Sequence, residues 1–291
     1  AAIRDAVGNP LARRGYLPDG RDMSLSFTID TSGGSGGDTD PTPGRTDIPD
    51  AVAVDADGDH VVVVTDTTGG LDRVYFRLFD ADGSQAKVRT PVTTEPEFVG
   101  DMQRYGQVAI DKDGDFIVTW TNYRGGDADV YARRFTASGD AIGEAFRVNT
   151  LGVGDSTTPT AQKWSHVAMD ADGDFVIVWS HEEVAQAGGA ANYNVYAQSF
   201  SYNVADALPD RPVAAADEEF LINEALPGDQ IAGSVAMDAL GRYVVTWTSN
   251  ASGNSDVLAR LFDRGTPLTT EFVVNLTTNG DQRYPSVAIN L

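Results

Sequence analysis

Four stretches of the chain repeat one pattern of apolar and polar positions. Ala51–Thr65 reads AVAVDADGDHVVVVT, Gln107–Thr121 reads QVAIDKDGDFIVTWT, His166–Ser180 reads HVAMDADGDFVIVWS and Ser234–Thr248 reads SVAMDALGRYVVTWT. A fifth copy opens at Ser286 as SVAINL. Each copy predicts a short strand, a polar turn and a second strand that is apolar on both faces. In Phe175–Trp179, Phe175, Ile177 and Trp179 point one way and Val176 and Val178 the other. Such a strand has to be covered on both sides, which stacked small sheets achieve and a single sheet with one wet face does not.

A third strand follows in every copy: VYFRLF at Val74–Phe79, VYARRF at Val130–Phe135, VYAQSF at Val195–Phe200 and VLARLF at Val257–Phe262. After a glycine-containing turn comes a fourth, FRVN at Phe146–Asn149, FLIN at Phe220–Asn223 and FVVN at Phe272–Asn275. The first copy has only a weak equivalent near Arg89–Thr93. The leading acids Asp55, Asp111, Asp170 and Asp238, with Asn290 in the fifth copy, lie 56, 59, 68 and 52 residues apart. That period is near the length of a four-stranded propeller blade. The expected fold is therefore all-β, a β-propeller-like array of four-stranded modules, with about five blades or an open stack.

The phase of the repeat is broken at both ends. Asp5–Leu11 reads like the turn before a fourth strand, and Ser24–Thr31 (SLSFTIDT) like a fourth strand itself. Ser32–Arg45 is a linker rich in Gly, Asp and Pro. The expected division is 1–45 as a partial module and linker, and 46–291 as four repeats plus the first strand of a fifth, all in one structural domain. The incomplete ends invite pairing of Ser286, Val287, Ala288 and Ile289 with Phe27 and Ile29. Within one chain this closes a ring; between chains it builds a filament.

Composition narrows the function classes. The net charge is −22, which excludes nucleic acid and anionic lipid as natural partners and favours multivalent cations. No apolar run approaches a membrane span, so no insertion is expected. There is no Cys, hence no disulfide or thiolate metal site. The chain opens on Ala1, which reads as a processed mature chain or a fragment.

The acidic turns are the obvious metal candidates. Asp55, Asp57 and Asp59, then Asp111, Asp113 and Asp115, then Asp170, Asp172 and Asp174 set alternate carboxylates on a loop, as calcium requires. The competing reading is a type I hairpin turn with Gly in the left-handed position, which accounts for every residue of D-x-D-G. Copy four keeps Asp238 and Gly241 but loses the other carboxylates, which favours the hairpin reading. Trp120, Trp179 and Trp247 recur at one strand position and read as core rather than as sugar platforms. The G-x-S-x-G match at Gly33–Gly37 lacks the strand and helix of a nucleophile elbow. His60, His166 and His181 fall at unrelated repeat positions, and His181 with Glu182 and Glu183 forms the best local cation candidate. The clearest departures from the repeat, Glu182–Asn192 and Ser201–Glu218, are where a binding site is expected.

The pattern V-A-x-D-x-D-G-D-F-V-V-x-W with V-Y-A-x-x-F, G, E-x-F-x-V-N and G-D-Q resembles a repeat of large bacterial extracellular proteins that carry haemolysin-type calcium-binding or adhesin-like modules. The resemblance covers about residues 46–291 and implies a secreted or cell-surface propeller-like module. Thr65 in place of the strand-end Trp, and Leu240 with Arg242 in the fourth acidic turn, depart from it. The expected function is a non-enzymatic structural or adhesion module, self-associating through its ends or contacting other surface proteins, with calcium as its cofactor. The alternatives are a carbohydrate-binding propeller using Tyr123, Tyr193 and Tyr202, and a glycoside hydrolase or lyase.

Overall fold

The computed structural model describes residues 24–30, 48–67, 70–150, 160–183, 192–201, 213–214, 219–224, 227–277 and 279–290. After β1 (Ser24–Asp30), blade one is β2 (Ile48–Val54), β3 (His60–Asp66), β4 (Arg73–Phe79) and β5 (Gln85–Pro91). Blade two is β6 (Met102–Ile110), β7 (Phe116–Arg124), β8 (Asp127–Phe135) and β9 (Ala141–Arg147). Blade three is β10 (Gln162–Met169), β11 (Phe175–Glu183), β12 (Asn192–Ser201), β13 (Val213–Ala214) and β14 (Phe220–Leu221). Blade four is β15 (Gln230–Met237), β16 (Arg242–Ser249), β17 (Asp256–Asp263), β18 (Thr266–Pro267) and β19 (Phe272–Val273). The last strand is β20 (Arg283–Asn290).

Each blade is an antiparallel meander, and the first strands pack in series, β2 on β6, β6 on β10, β10 on β15 and β15 on β20. The propeller-like array expected from the repeat is the observed fold. The second strands divide their faces as their sequence predicts. Phe175, Ile177 and Trp179 join a core shared with blade two, while Val176 and Val178 join one shared with blade four. The repeated Trp120, Trp179 and Trp247 are fully buried in these cores. Truncating one to Ala would cost about 3–5 kcal/mol.

Polar groups of the repeat staple blade to blade. Arg133 donates to Val92 O at 3.1 Å and Arg260 to Ile222 O at 2.8 Å, each reaching the preceding blade. The Glu directly before the fourth-strand Phe does the same in the opposite sense: Glu219 accepts from Thr150 N at 3.1 Å and Glu271 from Glu224 N at 2.9 Å. In the first copy the weak fourth strand is complete as β5, pairing with β4.

One expectation is corrected at the ends. Ser24–Thr31 does not form a fourth strand. β1 lies antiparallel to β20, where a second strand belongs: Val287 faces Phe27 as Val235 faces Val245. An alternating strand carries no partner in its own pattern, so the open edge it meets decides its place. The expected pairing of the two ends is found within the chain. Ser286, Val287, Ala288 and Ile289 pair with Thr28, Phe27, Ser26 and Leu25 of the same chain, and the register shifts across Ile29. This is the pairing expected to close the array within one chain.

Candidate active site

The meander gives the array two faces. One carries the hairpins between first and second strands and the turns between third and fourth. The other carries the loops between second and third strands and the entries into each first strand. The first is the turn face and the second the loop face.

The nine carboxylates proposed for metal all lie on the turn face, divided among three hairpins. In each, the first Asp closes its own turn. Asp55 Oδ1 accepts from Asp57 N, Gly58 N and Asp59 N at 2.9, 2.9 and 3.0 Å. Asp111 Oδ1 accepts from Asp113 N and Asp115 N, and Asp170 Oδ1 from Asp172 N and Asp174 N. Gly58, Gly114 and Gly173 sit at φ 97°, 86° and 88°, the left-handed position the turn demands. Asp59 and Asp115 cross to the neighbouring turn and accept from Ala81 N and Ala137 N. Asp113 and Asp172 face Lys112. Burial and the neighbouring carboxylates raise Asp111 and Asp170, partly offset by the turn amides. Among the described residues no group of three or more His, Asp or Glu is arranged to hold a metal ion.

The loop face of blade three is different. At the end of β11, His181 and Glu183 occupy the positions that Asn122 and Arg124 hold in β7. In blade two these residues form a structural set, Asn122 and Arg124 both donating to Asp101 at 2.9 Å. In blade three the set is ionisable. Tyr196 of β12 donates to Glu183 Oε1 at 3.3 Å, and its ring lies 5.0 Å from the His181 ring. Burial, then the charge of Glu183, pushes the Tyr196 phenol up to about 12, so it keeps its proton. His181 is buried and held below its ordinary value by that burial. Gln162 fixes its tautomer. The Gln162 carboxamide oxygen accepts from Asn149, and its nitrogen donates to Thr160 Oγ1 and lies 3.1 Å from His181 Nδ1. His181 Nδ1 therefore accepts, and Nε2 carries the proton. Glu182 is occupied differently, accepting from Ala161 N.

Beside this group stand two aromatics. Trp164, in the first strand of the blade, lies 5.3 Å from Tyr193 of β12, both partly exposed, with Lys163 Nζ 5.7 Å from the Trp164 ring. The arrangement supplies one carboxylate to take a proton, a phenol that carries one, an imidazole N–H to donate a hydrogen bond, and an apolar surface to hold a ring.

The sequence singled out His181, Glu182 and Glu183 as a cation candidate in a loop, whereas they end strand β11, and it named Tyr193. It missed Trp164 and Tyr196. The signal for Trp164 was there: of four Trp it alone lies off the second-strand position. Tyr123 lies at the corresponding end of β7, whereas Tyr202, Gly33–Gly37 and most of Ser201–Glu218 fall outside the described residues.

No family model matches the sequence, and no curated protein matches it. Solved structures do match the fold. A Hadza microbial sialidase aligns at TM-score 0.51 and 11% identity, over 79% of this chain and 47% of that one. An ulvan lyase of a polysaccharide lyase family, bound to a GlcA(1-4)Rha3S saccharide, aligns at TM-score 0.51 and 11% identity, over 79% and 58%. A glycosyl hydrolase from Bacteroides ovatus aligns at TM-score 0.46 and 12% identity, over 92% and 79%. The first two are enzymes built on this fold, and they overturn the expectation of a non-enzymatic adhesion module. That expectation took repetition as a sign against catalysis, and carbohydrate-active enzymes use the same array of repeated blades.

Proposed function

We propose that this chain is a carbohydrate-active enzyme that cleaves a glycosidic linkage on the loop face of blade three, acting outside the cell. The observation that carries the reading is the Glu183–Tyr196–His181 group, which stands where blade two puts a structural ion pair. Among the described residues, the leading Asp of each turn closes it, Arg133 and Arg260 staple blades, and Asn149, Asn223 and Asn275 clamp strands. Glu183 is the proton acceptor of the group, Tyr196 stays protonated as its donor, and neutral His181 offers Nε2–H. Acid–base exchange of this kind is what glycosidic cleavage needs. The sialidase and ulvan lyase that share the fold support the substrate class, a glycan.

The test is incubation with soluble polysaccharides, neutral and acidic, followed by assay of new reducing ends and of the ultraviolet absorbance of a new C=C bond. The first signal alone marks hydrolysis, and both together mark elimination. Glu183→Gln should lower the rate by about 10²–10⁴-fold. Cleavage that survives this substitution unchanged would remove Glu183 from the reaction.

A further inference from the structure

Three aromatic residues hold a backbone conformation that suits them poorly. Tyr105, Trp164 and Tyr284 sit at φ 58°, 56° and 56°. They occupy one equivalent position, the bulge where a first strand enters its blade from the loop face. The pairing register shifts between Arg104 and Gln107 in β6 and between Lys163 and His166 in β10, and β1 shows the matching shift opposite β20. The bulge is tied to the preceding blade: Trp164 N donates to Thr121 Oγ1 and Tyr284 N to Thr248 Oγ1, both at 3.2 Å.

Gly or Asn would adopt this conformation at little cost, whereas an aromatic residue is strained by about 1–2 kcal/mol. Tyr284 is 60% exposed, so burial offsets little of its strain, while Tyr105 and Trp164 are mostly covered but keep part of their surface open. An aromatic side chain recurs at this strained bulge three times over, on first strands of the array, each time with part of its surface open. A cation precedes each ring, Arg104, Lys163 and Arg283, and Asp72 and Asp281 anchor the two guanidinium groups. The equivalent positions are Pro49 in blade one and Ala232 in blade four, so these two blades carry no ring there.

We infer that Tyr105, Trp164 and Tyr284 are stacking platforms for successive sugar rings, so that the ligand is an extended polysaccharide laid across the inner loop face rather than a mono- or disaccharide. This rests on the proposed carbohydrate activity, but it concerns binding and can fail separately. An exposed aromatic face takes the apolar face of a pyranose, and platforms on several first strands can be filled together only by a polymer.

The experiment is affinity electrophoresis of the Glu183→Gln protein, which binds without turning over, in gels containing hydroxyethylcellulose, xylan, polygalacturonate or ulvan. At least one polymer should retard it, and Tyr105→Gly, Trp164→Gly and Tyr284→Gly should each weaken retention roughly tenfold. Loss of retention with added salt assigns an acidic polymer, and salt-independent retention a neutral one. Because the other three Trp are fully buried, acrylamide quenching reports Trp164 alone, and the retained polymer should protect it. The thermal midpoint of the Gly variants should stay level or rise as strain is released. Retention unchanged by these variants, together with a lowered midpoint, would make the rings packing residues and overturn the inference, as would retention by none of the four polymers. If the wild-type protein cleaves a polymer that the Gly variants still hold, the platforms fail while the enzyme reading stands. If the polymer is held through the rings but never cut, the platforms stand and the enzyme reading fails.

Discussion

Asn223 Oδ1 accepts the backbone N–H of Val195 at 2.8 Å, and so clamps the fourth strand of blade three to its third. Both residues are buried. Asn149 holds Val130 and Asn275 holds Val257 in the same way, at 2.8 and 2.7 Å. This is the duty of the Asn in V-N, and it explains why a polar residue ends an otherwise apolar strand.

Replacing any of the three by Ala should strand a buried N–H and cost about 1–3 kcal/mol of stability. Asp at the same position can still accept, but it loses the amide donors. In Asn223 these donors reach Asn194 Oδ1 and Glu224 O at 2.9 and 2.8 Å. Asn223→Asp should therefore be at least as damaging as Asn223→Ala near neutral pH, because it also buries a charge beside acceptors. Urea denaturation of the three Ala variants and Asn223→Asp checks both statements. Equal midpoints for wild type and Asn223→Ala would show that water reaches the Val195 amide.

The pairing of β1 with β20 makes a second prediction. Without residues 24–30, β20 has lost the neighbour that takes up its outward amides and carbonyls. Deletion of 1–30 should accelerate hydrogen exchange at Val287 and Ile289 while leaving Val176 and Val178, in the centre of blade three, protected. It should also promote association at high concentration, because an open strand edge recruits another. Exchange in 286–289 that is indifferent to the deletion would show that β1 does not hold that edge.

The blades were legible because the second strand is apolar on both faces, and that demand is met only by sheets stacked on each side. The hairpin chemistry was legible for a similar reason: Asp170 and Gly173 act on their own turn, within four residues. What was hidden depends on contacts distant in sequence. SLSFTID alternates like any half-buried strand, so nothing in it chooses between a fourth strand and a neighbour for β20. The site divides along the same line. His181 and Glu183 stand out as local departures from the repeat. Tyr196 does not, because Tyr75 and Tyr131 fill the same repeat position. Those two pack against Arg89 and against Trp120 and Phe98, and only the partner across the strand makes Tyr196 different.

His166 gives the last prediction, a dependence of stability on pH. It lies in β10, two residues beyond the Trp164 bulge, and its position in the repeat is filled by Gln107 in blade two and Ser234 in blade four. Burial lowers its pKa from 6.5 to about 4. The unfolded chain takes up this proton as pH falls through 6.5, while the folded chain refuses it until about 4. The neutral imidazole's share of stability is therefore complete above the unfolded value and is lost progressively across that window. Its ceiling is about 3 kcal/mol, reduced by the solvent that still reaches the ring. Asp111 and Asp170, raised by burial, act in the opposite sense and help the folded state as pH falls, so the total slope understates the histidine. His166→Gln, which copies blade two, isolates it. The variant should match wild type near neutral pH within the cost of one substitution and lose less stability than wild type between pH 6.5 and 4. Thermal midpoints of both proteins across that range decide it, and parallel curves would show that His166 is protonated in the folded chain as readily as in the unfolded one.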